Sequence, residues 1–174
     1  MDIKKTLQQL SHSHWYWLSY ILGGVSLLAI ALFYQYMLEE LPCVVCIQIR
    51  LWFSLMIILS ILGMLLRNKP WVNSTLQFAL VLGSVGLVER SYLLLGTERG
   101  FIFGDCGFDV GLPGWFAIEQ WLPWLYQVET SCGYTPEIIF GVTMAEALML
   151  LSVCLVIISV VVALVSLIGN KQST

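Results

Sequence analysis

Residues 41–66 read LPCVVCIQIRLWFSLMIILSILGMLL, a run in which Arg50 is the only charged side chain. As an α-helix, residues 51–66 alone would extend about 24 Å at ~1.5 Å per residue, whereas the hydrocarbon core of a bilayer is roughly 30 Å thick. A helix that crosses the bilayer must therefore begin near the two cysteines at the start of the run. The stretch predicts a transmembrane helix over about residues 44–66 that opens with a Cys-x-x-Cys sequence.

The composition of the whole chain also favours a membrane protein. Of its 174 residues, 59% are hydrophobic and 11% are charged, whereas a typical soluble domain has about 25% charged residues. A chain this apolar could not cover its surface with polar groups in water. The net charge of -3 is too small to indicate nucleic-acid binding.

Three further apolar runs accompany this helix, at about residues 15–38, 71–95 and 140–168. Each is long enough to cross the bilayer as a helix. We therefore predict an all-α integral membrane protein, a single membrane domain over residues 1–174 that forms a four-transmembrane-helix bundle. A long loop over about residues 96–138 would connect the third and fourth helices.

The positions of the cationic residues predict the orientation, because lysine and arginine in short flanking segments are retained on the cytoplasmic side. They fall before the first span, between the second and third spans, and after the fourth. These residues are Lys4, Lys5, Arg67, Lys69 and Lys171. We therefore expect both termini in the cytoplasm, and the long loop on the opposite side as an outer loop.

An aromatic stretch in the outer loop predicts a short interfacial helix. At ~100° per residue, one face of this helix would be apolar, with its tryptophans at the depth of the lipid headgroups. The residues of that face are Trp115, Ile118, Trp121, Leu122 and Leu125. Pro123 would kink or shorten the helix, and an irregular aromatic loop is the alternative.

Four of the five cysteines fall on the outer side under this orientation. They are Cys43, Cys46, Cys106 and Cys132, while Cys154 lies within the fourth span and is predicted to be a packing residue. Disulfides form and persist outside the cytoplasm, and four cysteines allow three connectivities. The Cys-x-x-Cys spacing is typical of redox-active dithiols, which favours one pair of Cys43 with Cys46 and another of Cys106 with Cys132.

Arg50 follows Cys46 by one helical turn at the start of the second span. A helix N-terminus and a cation four residues further on both favour a thiolate over a thiol at Cys46. A charged residue within a membrane helix is costly without a partner, which makes Arg50 a candidate functional residue. The alternative is that Arg50 extends to the phosphates of lipid headgroups.

The loop cysteines, Cys106 and Cys132, have two interpretations. They could form a structural staple, or an exposed disulfide of the labile, exchanging kind. In the second case, electrons would pass from a soluble thiol partner through the loop into the membrane. A zinc site would need a second closely spaced cysteine pair, and the outer loop contains no histidine. We therefore predict no metal site.

The order of helices and cysteines resembles the DsbB family of bacterial disulfide-bond formation proteins over nearly the whole chain. The sequence LPCVVCIQIR at residues 41–50 matches the motif of that family, including the arginine four residues after the second cysteine. The sequences PGWF at residues 113–116 and EQWLP at residues 119–123, followed by Cys132, are similar to its interfacial helix and loop disulfide.

The resemblance implies a thiol:quinone oxidoreductase of the bacterial inner membrane with its active cysteines in the periplasm. Cys106 would be attacked by a reduced DsbA-like oxidase of the thioredoxin fold, and Cys132 would be its exchange partner. Electrons would pass to Cys43 and Cys46. Cys46 and Arg50 would bind the quinone, which would be ubiquinone or menaquinone.

Residues 97–99 differ from the family pattern, because Thr-Glu-Arg stands where some members carry a histidine close to the quinone. Two other functions compete with the first. An enzyme similar to vitamin K epoxide reductase also uses four cysteines and a quinone, but there the loop cysteines precede the Cys-x-x-Cys, the reverse of the order here. The chain could instead be a non-catalytic membrane scaffold with two structural disulfides.

Overall fold

The computed structural model describes residues 14–102, 110–112, 117–131, 133, 135–139 and 141–171. The first three long helices are α1 (His14–Met37), α2 (Val44–Leu66) and α3 (Pro70–Glu98). Two single-turn helices follow, α4 (Ile118–Trp121) and α5 (Pro123–Tyr126). The strands β1 (Glu137–Ile139) and β2 (Val142–Thr143) then pair antiparallel and lead into the fourth long helix, α6 (Met144–Lys171).

Each of the four long helices is apolar and long enough to cross a membrane. Their outward faces expose large hydrophobic side chains, as expected where lipid replaces water as the solvent. Leu22, Phe33, Leu55, Leu65, Phe78, Leu82, Leu150, Ile157 and Leu164 are examples. The predicted fold class, an all-α membrane bundle with four spanning helices, is confirmed.

The long helices pack in sequence, α1 against α2, α2 against α3, and α3 against α6. Small residues allow two of these contacts. A Cβ atom at Gly63 of α2 would collide with the indole of Trp17 of α1, and one at Gly86 of α3 would collide with Trp52 of α2. Trp17 has no exposed surface, so the missing side chain at Gly63 is what lets the two helices close around the ring.

Helix α3 has clear start and stop signals. Pro70 occupies its first turn, where the missing N–H costs nothing because the first N–H groups of a helix have no partner within the helix. After Glu98, the backbone N–H of Arg99 bonds to the Leu95 carbonyl at 3.0 Å. Gly100 then has a φ of +72°, a left-handed conformation that glycine adopts without steric cost.

The fourth long helix begins later than the sequence predicted. Helix α6 starts at Met144 rather than near the expected residue 140. Glu137–Ile139 and Val142–Thr143 form the β1–β2 hairpin before it, and Gly141, between the two strands, has a φ of +80°. A capping box fixes the true start of α6: the Glu146 N–H bonds to Thr143 Oγ1 at 3.4 Å, and the Glu146 carboxylate accepts the Thr143 N–H at 3.3 Å. The apolar residues before Met144 belong to strands.

The aromatic stretch of the outer loop forms two single turns separated at Leu122, whose φ and ψ are -133° and 62°. Pro123 begins the second turn, which fits the expected shortening of the helix. Ile118 and Leu125 pack against a small buried cluster of Ile47, Val110 and Tyr126. Trp121 is 62% exposed, and Trp115, assigned to the same face from the sequence, lies outside the described residues.

Candidate functional site

Cys43 and Cys46 lie where the backbone changes from extended to helical at the start of α2. Cys43 is the N-cap residue with φ -82° and ψ 168°, and its sulfur accepts the backbone N–H of Cys46 at 3.3 Å. Cys43 is buried and Cys46 is half-buried. An N–H group at a helix N-terminus stabilises negative charge, so this hydrogen bond would stabilise a thiolate on Cys43.

The Arg50 side chain is 5% exposed and is held by three acceptors from two other parts of the chain. Its Nη1 donates to Gln35 Oε1 at 2.7 Å and to the Leu125 carbonyl at 3.0 Å, while Nη2 donates to the Ala31 carbonyl at 3.3 Å. These contacts hold the guanidinium inside the protein rather than at the lipid headgroups. All three acceptors are uncharged, so the positive charge of Arg50 is fixed in place without being neutralised by them.

Cys46 and Arg50 both line a cleft of about 240 Å³ between α1, α2, α6 and the hairpin. Their spacing of four residues places them on the same face of α2. The other walls are largely aliphatic and include Leu28, Ala31, Ile49, Phe53, Pro136, Ile138, Met144, Ala147 and Leu151. The cleft therefore combines the Cys46 thiol and the fixed Arg50 cation with largely apolar walls, to which Tyr34 and Glu40 add two further polar side chains. This composition is typical of a small-molecule site.

The chain that follows α5 is attached directly beside the cysteines. The backbone N–H groups of Glu129 and Thr130 both donate to the Pro42 carbonyl, at 3.0 and 3.3 Å. Thr130 also forms an isolated parallel β-bridge with Cys43. This segment of the outer loop is therefore fixed against the start of α2.

Helix α5 adds further attachments to the same site. Tyr126 and Ser54 share a hydrogen bond of 2.6 Å, and the Tyr36 hydroxyl donates to the Trp124 carbonyl at 2.7 Å. Together with the Leu125 carbonyl on Arg50, these bonds connect the outer segment to both α1 and α2. A displacement of α5 would change the environment of Arg50.

A separate polar contact lies on another face of α2. Gln48 Nε2 donates to the Val110 carbonyl at 2.9 Å, and Arg90 Nη1 donates to Gln48 Oε1 at 3.0 Å. Arg90 Nε also lies 3.7 Å from the Glu89 carboxylate. Val110 is buried and packs on Ile47, so this part of the outer loop is also anchored on α2.

Two of the predicted site residues, Cys106 and Cys132, lie outside the described residues. The neighbouring chain is described on one side of each. Val110 follows Cys106 by four residues, and Thr130 precedes Cys132 by two. Both neighbours are attached near the N-terminal end of α2, on Gln48 and beside Cys43 respectively.

Residues 97–99, where a family histidine is absent, bond to protein groups. Thr97 Oγ1 donates to the carbonyls of Leu93 and Leu94, at 3.0 and 2.9 Å. The Glu98 carboxylate accepts the hydroxyl of Thr135, and Arg99 pairs with Glu146. Thr97, Glu98 and Arg99 are not among the described residues that line the cleft.

Sequence reasoning missed Gln35 and the Leu125 carbonyl as partners of Arg50. Gln35 carried a signal, because it is the only amide side chain in the first apolar run, and a polar residue within a membrane span is usually there for a partner. The Leu125 carbonyl had no such signal in the sequence, since any residue at that position supplies a backbone oxygen.

A sequence model of the family described as "Disulfide bond formation protein DsbB" matches residues 13–162 of this chain. The chain belongs to the DsbB family. Disulfide bond formation protein B 2 of Pseudomonas aeruginosa is 27% identical over 147 residues, which cover 83% of this chain and 87% of that protein. Disulfide bond formation protein B of Shewanella frigidimarina is 29% identical over 146 residues, which cover 83% of this chain and 86% of that protein. Disulfide bond formation protein B of Vibrio alginolyticus is 29% identical over 140 residues, which cover 76% of this chain and 81% of that protein.

Membership of the family and the four apolar helices together describe a multi-pass membrane protein of disulfide-bond formation with disulfide oxidoreductase activity. The match covers all four spans up to residue 162. It includes Cys43, Cys46 and Arg50.

Proposed function

We propose that this protein is a thiol:quinone oxidoreductase of the bacterial inner membrane. It would reoxidise a periplasmic DsbA-like dithiol oxidase and pass the electrons through two cysteine pairs to ubiquinone or menaquinone. Both termini would lie in the cytoplasm and the active cysteines in the periplasm, in keeping with the distribution of lysine and arginine.

One observation carries the proposal: Cys46 and Arg50 line the same apolar cleft, and Arg50 is held there by uncharged acceptors. A dithiol that becomes a disulfide releases two electrons and two protons. An acceptor beside it that develops negative charge is stabilised by a cation already in position, because no reorganisation is needed during the reaction.

A quinone fits the residues that form this cleft. The aliphatic walls suit a flat ring and a hydrocarbon tail, and the guanidinium of Arg50 offers N–H donors to a ring oxygen. A bound quinone would supply an acceptor for two electrons and two protons and would leave as quinol. Cys46 would be the sulfur that faces it, and Arg50 would hold the ring oxygen and the charge that develops on it.

The loop cysteines would begin the sequence. A thiolate of the reduced partner would attack the Cys106 sulfur of a Cys106–Cys132 disulfide, forming a mixed disulfide and releasing the Cys132 thiolate. The second thiol of the partner would resolve the mixed disulfide and leave Cys106 and Cys132 reduced. Exchange with a Cys43–Cys46 disulfide would then oxidise the loop pair and reduce the pair beside the cleft.

The attachments of Val110 and Thr130 support this exchange. They hold the chain four residues after Cys106 and two residues before Cys132 close to the start of α2. Thiol–disulfide exchange requires direct approach of one sulfur to another. Short tethers on both sides of α2 limit the distance that the loop cysteines must travel.

The test mixes the purified protein with a reduced DsbA-like partner and a quinone, and follows partner oxidation and quinone reduction in one reaction. We expect one quinone reduced for each partner dithiol oxidised. A partner whose second cysteine is replaced by serine should accumulate a mixed disulfide with Cys106 of the wild-type protein, because nothing can then resolve it. Cys154→Ser, a cysteine within α6, should behave as wild type.

Two results would contradict the proposal. The absence of coupled turnover across several partners and quinones would favour a scaffold with structural disulfides. Full activity of Cys106→Ser and Cys132→Ser variants, with Cys43 and Cys46 still essential, would show that the loop pair is not part of the electron path.

A further inference from the structure

We propose that Glu98 and Arg99 position one wall of the cleft, through Thr135 and Glu146, and thereby set the affinity of the cleft for quinone. This inference rests on the proposed function and assigns a role to two of the three residues, 97–99, that differ from the family pattern. Neither side chain is among the cleft-lining residues described, so both act as positioning residues.

The two side chains come from adjacent residues at the end of α3 and reach two different segments. The Thr135 hydroxyl donates to the Glu98 carboxylate, and Arg99 forms an ion pair with Glu146. Thr135 is buried, so its hydroxyl must have a partner to avoid a desolvation penalty. Glu146 lies in the first turn of a spanning helix, where an acidic side chain also needs a partner.

These two attachments lie on either side of the β1–β2 hairpin. Thr135 precedes β1, and Glu146 follows β2 in the first turn of α6. Between the two attachments, Pro136, Ile138 and Met144 line the cleft. The segment that forms this wall is therefore tied to α3 at both of its ends.

The hairpin depends on these attachments because it has little stability of its own. It consists of strands of three and two residues with an irregular register, and an isolated two-stranded hairpin is marginal at best. The capping box of α6 uses one oxygen of Glu146 for the Thr143 N–H, while the other oxygen pairs with Arg99. Arg99 thereby orients the residue that fixes where the hairpin ends.

The opposite wall does not share this dependence. It is formed by the long helices α1 and α2, and it carries Cys46 and Arg50. The separation of the two walls decides how closely a ligand approaches the sulfur and the guanidinium. Loss of either attachment would let the hairpin wall move and would weaken quinone binding, without altering the cysteines or their exchange with the thiol partner.

The test compares paired substitutions that remove or keep each contact. We expect Thr135→Val to raise the KM for a short-chain ubiquinone or menaquinone analogue roughly tenfold, since small misplacements near a reacting group have large effects. Arg99→Ala should raise this KM less, about two- to threefold, because the Arg99 side chain is 58% exposed and an exposed ion pair contributes little. Thr135→Ser and Arg99→Lys keep the hydroxyl and the charge and should restore the wild-type KM. The KM for the thiol partner should stay the same in all four variants. Glu137→Gln, an exposed carboxylate in the same hairpin, is the matched control.

Hydrogen exchange provides a readout that does not depend on turnover. Amides of residues 137–143 should exchange faster in Thr135→Val and Arg99→Ala than in wild type or Glu137→Gln, because the hairpin opens locally when its attachments are lost. An unchanged quinone KM together with unchanged exchange would overturn the inference while leaving the proposed function intact. A wild-type protein that reduces no quinone would overturn both.

Discussion

Two arginines lie toward the same end of the bundle, where α2 begins and α3 ends, and they are held in opposite ways: Arg50 on α2 and Arg90 on α3. Arg50 is almost fully buried, lines the cleft beside Cys46, and bonds to one amide oxygen and two backbone carbonyls. The Arg90 side chain is 32% exposed, bonds to Gln48 and has the Glu89 carboxylate close by. Each arginine has a glutamine partner, but only Arg90 has an acidic one within ion-pair distance among the described residues.

The difference shows what each charge can be used for. Burying an ion costs several kcal/mol, on the order of what a few charge-assisted hydrogen bonds can offset. The three acceptors of Arg50 contribute to this offset but bring no negative charge of their own. Glu129 interacts with Arg50 electrostatically, but among the described residues no carboxylate lies within ion-pair distance of Arg50. Arg50 can therefore still attract a group that becomes negative in the cleft, whereas Glu89 lies close enough to Arg90 to offset its charge.

Replacing each arginine by methionine should give the largest difference between the two sites. Arg50→Met should lower the rate of quinone reduction about 100-fold or more, since a preorganised stabiliser of developing charge contributes ~3–4 kcal/mol. Oxidation of the partner in a single exchange with the loop disulfide should persist. Stopped-flow measurement of both steps checks this.

Arg90→Met is the matched control, with an expected change in quinone reduction of less than about threefold, typical of an exposed ion pair worth ~0.2–1 kcal/mol. Equal losses in the two variants would show that the burial and partners of Arg50 confer no special role.

Replacing the glutamine partner of each arginine should also separate the two sites, with smaller effects on the rate of quinone reduction. Gln35→Leu removes the acceptor 2.7 Å from Arg50 Nη1. We expect quinone reduction to fall about tenfold, because a hydrogen bond to a charged group is worth ~1.5–3 kcal/mol and 1.4 kcal/mol is a tenfold change. Gln48→Leu, which removes the corresponding partner of Arg90, should leave steady-state quinone reduction near wild type. A larger loss in Gln48→Leu would reverse the assignment of the two sites.

Tyr126→Phe should have the smallest effect of the series. It removes the 2.6 Å hydrogen bond to Ser54 that helps attach α5 to α2. The expected loss is ~1 kcal/mol of unfolding free energy, or about 2–4 °C in Tm for a chain of this size. Thermal unfolding in detergent checks this against Tyr92→Phe, an exposed tyrosine on α3. A Tm equal to that of wild type would show that this bond does not stabilise the outer segment.

The sequence predicted the parts of the fold that depend on local pattern. Four apolar runs predicted four spanning helices, since hydropathy and length alone decide whether a segment can cross a bilayer. The four-residue spacing also predicted that Cys46 and Arg50 would share a face of α2. The start of α6 was misplaced because the apolar residues of the β1–β2 hairpin have the composition of a membrane span, and only the capping box at Thr143 marks the boundary.

The partners of the site residues depend on long-range packing and could not be predicted in this way. Arg50 meets Gln35 and the Leu125 carbonyl, which are 15 and 75 residues away along the chain. Glu98 meets Thr135 across 37 residues. No sequence periodicity relates residues this far apart. The contact of Arg50 with Leu125 uses a backbone carbonyl, so the identity of the Leu125 side chain gives no indication of it.

Delivery of electrons from the Cys43–Cys46 pair to a quinone in the Arg50 cleft can be tested without any thiol partner. The protein is reduced chemically, freed of reductant and mixed with quinone, and quinol and alkylatable cysteines are measured together. We expect one quinol for each cysteine pair oxidised. Cys43 and Cys46 should lose their reactivity toward the alkylating reagent together, also in the Cys106→Ser/Cys132→Ser double variant. Quinol formation that persists in Cys46→Ser, or the absence of quinol formation in wild type, would contradict electron transfer from this pair to the quinone.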